Sequence, residues 1–211
     1  MTDPSPSLFG PSGAPDLKRA LAAVRAAAER LVDVARETPC VYSYTVSEAT
    51  GRDVWLKLEN LQRTGSFKVR GAMNKVLSLD AEVRARGLVA ASAGNHAQGV
   101  ALAARKLGVK ALIVMPRTTP SIKVESVRDY GVRIKLTGDT YDDAYTWAAA
   151  HAEERGMTFI HPYDDPEVIA GQGTVALEIL RQHEDDIEAI FVPVGGGGLI
   201  SGIALYIPKR K

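Results

Sequence analysis

A lysine that follows an aromatic residue at the head of a helical run is the first feature of this chain able to do chemistry. It sits in Thr64-Gly65-Ser66-Phe67-Lys68-Val69-Arg70-Gly71-Ala72. An ε-amine attacks an aldehyde only when unprotonated, and its ordinary pKa of about 10.4 keeps it charged in water. A partly dry setting, or the positive end of a helix dipole, disfavours the ammonium and frees the lone pair. Two later strings are of a kind that binds anions. Ser92-Ala93-Gly94-Asn95-His96 lies between a β-prone run and a helical one, where backbone N–H groups converge on a group such as a carboxylate. Gly195-Gly196-Gly197-Gly198-Leu199 separates two apolar runs, and glycine there lets backbone N–H groups approach a phosphate that a Cβ would obstruct.

Each string also has a plainer reading. Ser66 can cap a helix whose exposed residues are Lys68 and Arg70, and Ser92 and Asn95 can cap an ordinary strand-to-helix turn. Four glycines can be a flexible linker, and they lack the spacing of the dinucleotide fingerprint. A linker does not normally sit between two strongly apolar segments, which favours the phosphate turn. His96, at the first turn of a helix, is expected to contribute its backbone N–H, with a polar role open for its ring. Asp139, Asp142, Asp143, Asp164 and Asp165 have no ligand-spaced His or Cys beside them, so helix-cap and surface roles are expected and no metal site.

The elements that must carry these residues follow from apolar spacing. Leu17, Leu21, Val24, Ala28, Leu31 and Ala35 recur three or four apart, predicting a helix with Asp16 as its N-cap and an end at Thr38-Pro39. Beyond it, β-prone runs alternate with helical ones: 54–58 then 67–79, 88–91 then 96–107, 111–115 then 121–130, 132–136 then 141–154, 158–160 then 166–183. A last strand is expected over Ile187–Val194, before the glycines, with a helix from Leu199. Gly108, Gly131 and Gly156 stand where left-handed helix ends are wanted. The pattern is α/β with a mainly parallel sheet. Asp80–Gly87 and His161–Asp165 are polar enough to be crossings between lobes.

The chain has 211 residues, 45% apolar and 24% charged, with 26 basic against 25 acidic side chains. That balance, with no basic block interleaved with aromatics, gives no support to nucleic-acid binding and favours a small-molecule partner. Cys40 is the only cysteine, which excludes an internal disulfide and fits a reducing cytoplasm, with Cys40 packed rather than reactive. Met1–Pro15 is rich in Pro, Ser and Gly, does not read as a secretory signal, and is expected to be a disordered lead-in. Ala189–Pro208 is a run of 20 uncharged residues followed by Lys209-Arg210-Lys211, long enough for a membrane anchor. Pro193 and the glycines make it a poor continuous helix, so a strand, a turn and a helix are the better expectation.

The order and spacing of these strings resemble the serine/threonine dehydratases, also called threonine deaminases or ammonia-lyases, which are type II pyridoxal phosphate enzymes. Gly138-Asp139-Thr140-Tyr141-Asp142-Asp143-Ala144 and Gly171-Gln172-Gly173-Thr174 add to the resemblance, which runs from about Thr38 to Leu205. It implies a tryptophan synthase β-like fold of two open, mainly parallel sheet lobes. The small lobe would be 88–161, and the large cofactor lobe 16–87 plus 162–211, left incomplete.

The resemblance also implies pyridoxal 5'-phosphate as cofactor and a small amino acid as substrate. Lys68 would hold the cofactor aldehyde as a Schiff base and act as base at the substrate α-carbon. Phe67 would pack beside the pyridine ring, Asn95 would bond the phenolic oxygen, and Gly195, Gly196, Gly197, Gly198 and Leu199 would take the phosphate. Ser66, Ser92, Ala93, Gly94, Asn95 and His96 would hold the substrate. Threonine would yield 2-oxobutyrate and ammonia, and serine pyruvate and ammonia. Similar racemases carry serine at the position of Ala93, so alanine here favours elimination over racemisation. The family's catalytic domain continues for about another hundred residues, typical of a domain. This chain is therefore expected to be part of a homo-oligomeric enzyme, or a truncated homologue without activity.

Overall fold

The computed structural model describes Leu8, residues 16–183 and residues 186–207. Its first helix, α1 (Leu17–Arg30), begins where Asp16 accepts the Arg19 N–H at 3.2 Å, the N-cap that the spacing predicts. It stops short of Ala35, and the chain then turns through Asp33, the one non-glycine residue with positive φ (62°) among the described residues. Of the lead-in, only Leu8 is described. It is docked, 3% exposed, against Ala20, Ile169 and Leu205, and its carbonyl accepts the Asp16 N–H. The rest of 1–15 lies outside the described residues.

Strand β1 (Cys40–Tyr42), helix α2 (Tyr44–Thr50) and strand β2 (Trp55–Lys57) follow, with β1 and β2 paired antiparallel. A single 3-10 turn, Glu59–Leu61, leads toward α3 (Lys68–Ser78) and the short α4 (Ala81–Ala85). The chain then alternates through β3 (Leu88–Ala91), α5 (Asn95–Leu107), β4 (Ala111–Met115), α6 (Ser121–Arg128), β5 (Arg133–Leu136), α7 (Tyr141–Arg155) and β6 (Thr158–Phe159). The four strands form one parallel sheet in the order β5-β4-β3-β6. Central β3 is buried at every position, which is why Leu-Val-Ala-Ala reads as a continuous apolar run instead of alternating. Leu88 and Ala90 face the cluster built with Val100, Ala104 and Met73, whereas Val89 and Ala91 face Ala144, Ala148 and Ala152 of α7.

Two helices complete the described chain, the long α8 (Pro166–Gln182) and the short α9 (Gly198–Tyr206). Asp165 caps α8 through the Glu167 and Val168 N–H groups, and Thr140 with Asp143 makes a capping box on α7, so these acids serve helix ends. Glycines let α3, α8 and α9 cross at backbone contact. A Cβ on Gly171 would stand 2.7 Å from the Arg70 carbonyl oxygen and the Gly71 Cα, and one on Gly202 would stand 2.6 Å from the Gly173 nitrogen.

The strand expected over Ile187–Val194 does not form: no residue of this stretch joins a ladder, and Phe191 is 95% exposed. Apolar β-prone residues need a partner strand before they become one, and none of the described strands lies beside them. The 20-residue uncharged run thus contains a nine-residue helix. Among the described residues no helix is long and apolar enough to cross a membrane.

Candidate active site

Lys68 is the first residue of α3, and the preceding turn sets it there. Gly65 takes φ +71° and its N–H bonds the Gln62 carbonyl at 2.8 Å, after which Phe67 in helical conformation serves as N-cap. Ser66 caps nothing: its Oγ is buried and finds no hydrogen-bond partner among the described residues, and the same holds for Thr64 Oγ1. The Lys68 amine points inward. It donates to the Pro162 carbonyl at 2.8 Å and lies 5.3 Å from the Phe67 ring centroid. Burial lowers its pKa, the direction a nucleophilic amine requires.

Arg70 departs from the plain reading of an exposed helix residue. It is 1% exposed, with Nε and Nη2 on the Glu59 carboxylate, both at 2.8 Å, and Nη1 and Nη2 on Glu178 at 2.6 and 2.9 Å. Lys57 joins the cluster at 2.6 Å from Glu178, so two cations and two carboxylates balance. Burial opposes the Arg70 charge, but the hydrogen bonds and charges of the two glutamates outweigh it and raise its pKa further.

The turn Ser92–Gly94 leads from β3 into α5, whose N-cap, Gly94, offers no side chain. Ser92 Oγ accepts the Gly94 N–H at 3.2 Å, and Asn95 is exposed at the first helical position. Ala93 packs its methyl against the sheet core. His96 is turned inward, 3% exposed, with Nε2 2.9 Å from the Ile160 carbonyl. A carbonyl only accepts, so Nε2 carries the proton and Nδ1 keeps a lone pair that is buried without a partner. Desolvation, helped by nearby Lys68 and His161 and opposed by the Ile160 hydrogen bond, lowers His96 from 6.5 to about 4. The ring is thus a neutral anchor for the start of α5, a more definite role than its sequence position indicates.

The glycine turn runs directly into α9, capped by Gly197 at φ +86° without any side-chain hydrogen bond. Its four residues divide into two pairs. A Cβ on Gly196 would enter the Tyr163 ring and one on Gly198 would stand 2.9 Å from the Tyr163 carbonyl oxygen, whereas Gly195 and Gly197 face open space. Leu199 packs with Val175, Ala176, Ile179 and Ile203.

The stretch from Ile160 to Tyr163 therefore meets three separated strings: Ile160 holds His96, Pro162 holds Lys68 and Tyr163 backs the glycine turn. In sequence alone, 161–165 reads only as a polar crossing. A His-Pro-aromatic segment between an apolar strand and a capped helix was the available signal, but nothing local says what it touches. No hydrogen bond joins Ser92–Asn95 to the Lys68 side chain among the described residues; the two elements meet through Gly99, whose Cβ position is 3.3 Å from the Lys68 carbonyl oxygen.

A family model described as pyridoxal-phosphate dependent enzyme matches residues 31–211. The chain belongs to this family. Threonine dehydratase 1 biosynthetic, chloroplastic, from Solanum lycopersicum is 54% identical over 180 residues, covering 85% of this chain and 30% of that protein. L-threonine ammonia-lyase from Thermotoga maritima is 51% identical over 188 residues, covering 89% and 47% respectively. In structure, the processed form of threonine deaminase isoform 2 from Solanum lycopersicum matches with TM-score 0.87 at 46% identity, over 94% of this chain and 53% of that one. Maize serine racemase matches with TM-score 0.84 at 40% identity, over 88% and 56%. The fold is accordingly that of the type II pyridoxal phosphate enzymes, as the sequence motifs imply. The chain spans less than half the length of the two curated relatives.

Proposed function

We propose that this chain carries the lysine, the carboxylate turn and the phosphate turn of an ammonia-lyase that converts L-threonine, L-serine or both into the 2-oxo acid and ammonia. The observation that carries the reading is the Lys68 amine, half-buried, lowered in pKa and aimed at the Pro162 carbonyl beside a turn whose glycines leave open space. Relatives named threonine dehydratase and L-threonine ammonia-lyase, at 54% and 51% identity, supply the reaction class.

Pyridoxal phosphate fits what these residues offer. Among the described residues, Ser66 Oγ is a buried hydroxyl still lacking a partner, Gly195 and Gly197 have no neighbour within 4 Å of a Cβ position, and no side chain caps α9. When bound, the cofactor supplies the electron sink that stabilises negative charge at the substrate α-carbon. Lys68 would hold its aldehyde carbon and, as a free amine, would take the proton from the substrate α-carbon. Phe67 would line the ring and Asn95 would meet its phenolic oxygen. Gly195 to Leu199 would hold the phosphate on their backbone N–H groups. Ser66, Ser92, Ala93, Gly94, Asn95 and the His96 N–H receive the substrate, with the carboxylate on the α5 N-terminus. Ala93 has no proton to give to the opposite face of the α-carbon, which favours elimination over the racemase alternative.

In this reading the small lobe is 88–161, built on β5-β4-β3-β6, and the large lobe is 16–87 with 162–211. The whole protein is a homo-oligomer, for which exposed Tyr44 and Trp55, gathered about Tyr42, offer an apolar face. The test is covalent capture: add pyridoxal phosphate to the purified chain, reduce with borohydride and map the modified peptide. The adduct is expected on Lys68 and lost in Lys68→Ala. A folded chain that takes no adduct, or takes it elsewhere, overturns the reading and leaves a homologue without activity.

A further inference from the structure

We infer that Tyr163 is a positioning residue for the glycine turn, and that its ring is the wall that aims the backbone N–H groups of 195–198 at a phosphate. The inference rests on the proposal that this turn is the phosphate site, and concerns what holds it in shape. A run of four glycines is wide open conformationally, and each free residue costs entropy when a ligand orders it. A turn of this kind binds well only if something other than the ligand sets its conformation.

Tyr163 is what touches it. Gly196 and Gly198 lie so close to its ring and backbone that a Cβ on either would collide, while Gly195 and Gly197 face open space. The run thus has two reasons for glycine: close packing on Tyr163 at 196 and 198, and open approach or positive φ at 195 and 197. Without the tyrosine ring, the contact at 196 disappears while the backbone contact at 198 remains, and the first half of the turn is free to move.

Tyr163 is itself held. Its N–H and that of Asp164 donate to His161 Nδ1 at 3.3 and 2.7 Å, and the His161 ring stands edge-on to it, 4.7 Å between centroids. Asp165 begins α8 and pairs with Lys75 at 2.8 Å. One residue before Tyr163, Pro162 accepts the Lys68 amine, so a single rigid turn spaces the amine relative to the glycine turn.

The experiment compares pyridoxal phosphate with phosphate-free pyridoxal in equilibrium binding to the full 211-residue chain, followed by absorbance. The wild type is expected to prefer the phosphorylated ligand. Tyr163→Ala should weaken pyridoxal phosphate about tenfold, equivalent to about 1.4 kcal/mol, and leave pyridoxal within about twofold, while Tyr163→Phe behaves as wild type. Equal weakening of both ligands, or no change, overturns the inference. A wild type that binds both ligands alike overturns the phosphate-turn reading beneath it, a distinguishable result. Should Tyr163→Ala not fold, Gly196→Ala carries the same test, because its new methyl displaces the turn from the ring. Selective loss for the phosphorylated ligand supports the inference, and equal loss overturns it.

Discussion

At the scale of residues, Arg70 and His96 show buried polar groups serving the frame around Lys68. The Arg70 guanidinium satisfies both Glu59 and Glu178 from inside the protein, so truncation would strip Glu59 of its ion pair and leave Glu178 with Lys57 alone. Arg70→Ala is expected to cost about 3 to 5 kcal/mol in chemical denaturation. Arg70→Lys should recover only part, because a point-like ammonium cannot reproduce the two-sided fork. His96 makes stability depend on pH. Its folded value is about 4 and its ordinary value 6.5, so between them the unfolded chain holds more protons than the folded one. The stability it contributes is complete above pH 6.5 and is lost as pH falls to about 4, a change of about 3 kcal/mol. His96→Gln, which can still donate to Ile160, should flatten that part of the profile in urea unfolding at pH 5 and 7.5.

At the scale of elements, the decisive contact is the crossing of α3 and α8. Gly71 and Gly171 meet there, and a Cβ on Gly171 would lie 2.7 Å from the Arg70 carbonyl oxygen, in helix backbone that cannot simply rotate away. Gly171→Ala should therefore cost about 1 to 3 kcal/mol through forced separation. Because Lys68 begins α3, the same variant should slow reductive attachment of pyridoxal phosphate to Lys68. Unchanged attachment, measured by mass spectrometry against time, would mean that the crossing does not set the lysine's position.

At the scale of the whole molecule, the described surface carries an apolar stretch covered on one side only: Ile187, Ile190 and Val192 pack on Val175, Ala176, Ile179 and Ile203. Phe191 is 95% exposed and Val194 62%, on a segment that joins no ladder, and exposed apolar patches of this kind associate. The purified chain is expected to self-associate as its concentration rises, in light scattering, and Phe191→Glu should reduce this. A monomeric wild type across the range would show the segment to be covered in solution.

Much of this protein was legible in the sequence because the signals are local. Strands 88–91 and 111–115 stand where apolar runs predict them, the Asp16 cap is a one-turn interaction, and the Lys68, Ser92–His96 and glycine strings carried the family. The rest depended on contacts between segments far apart in sequence. Ile187–Val194 has every local mark of a strand but no neighbour to pair with, since a ladder needs two partners. Arg70 reads as a surface charge until Glu59 and Glu178 arrive from 11 and 108 residues away. The His161–Tyr163 turn reads as a crossing until folding brings Lys68, His96 and the glycines to it. Sequence by itself determined which residues have the chemistry and which elements begin with them. Tertiary structure alone decided what each polar group meets and how dry its surroundings are, because burial and partner geometry are properties of packed elements.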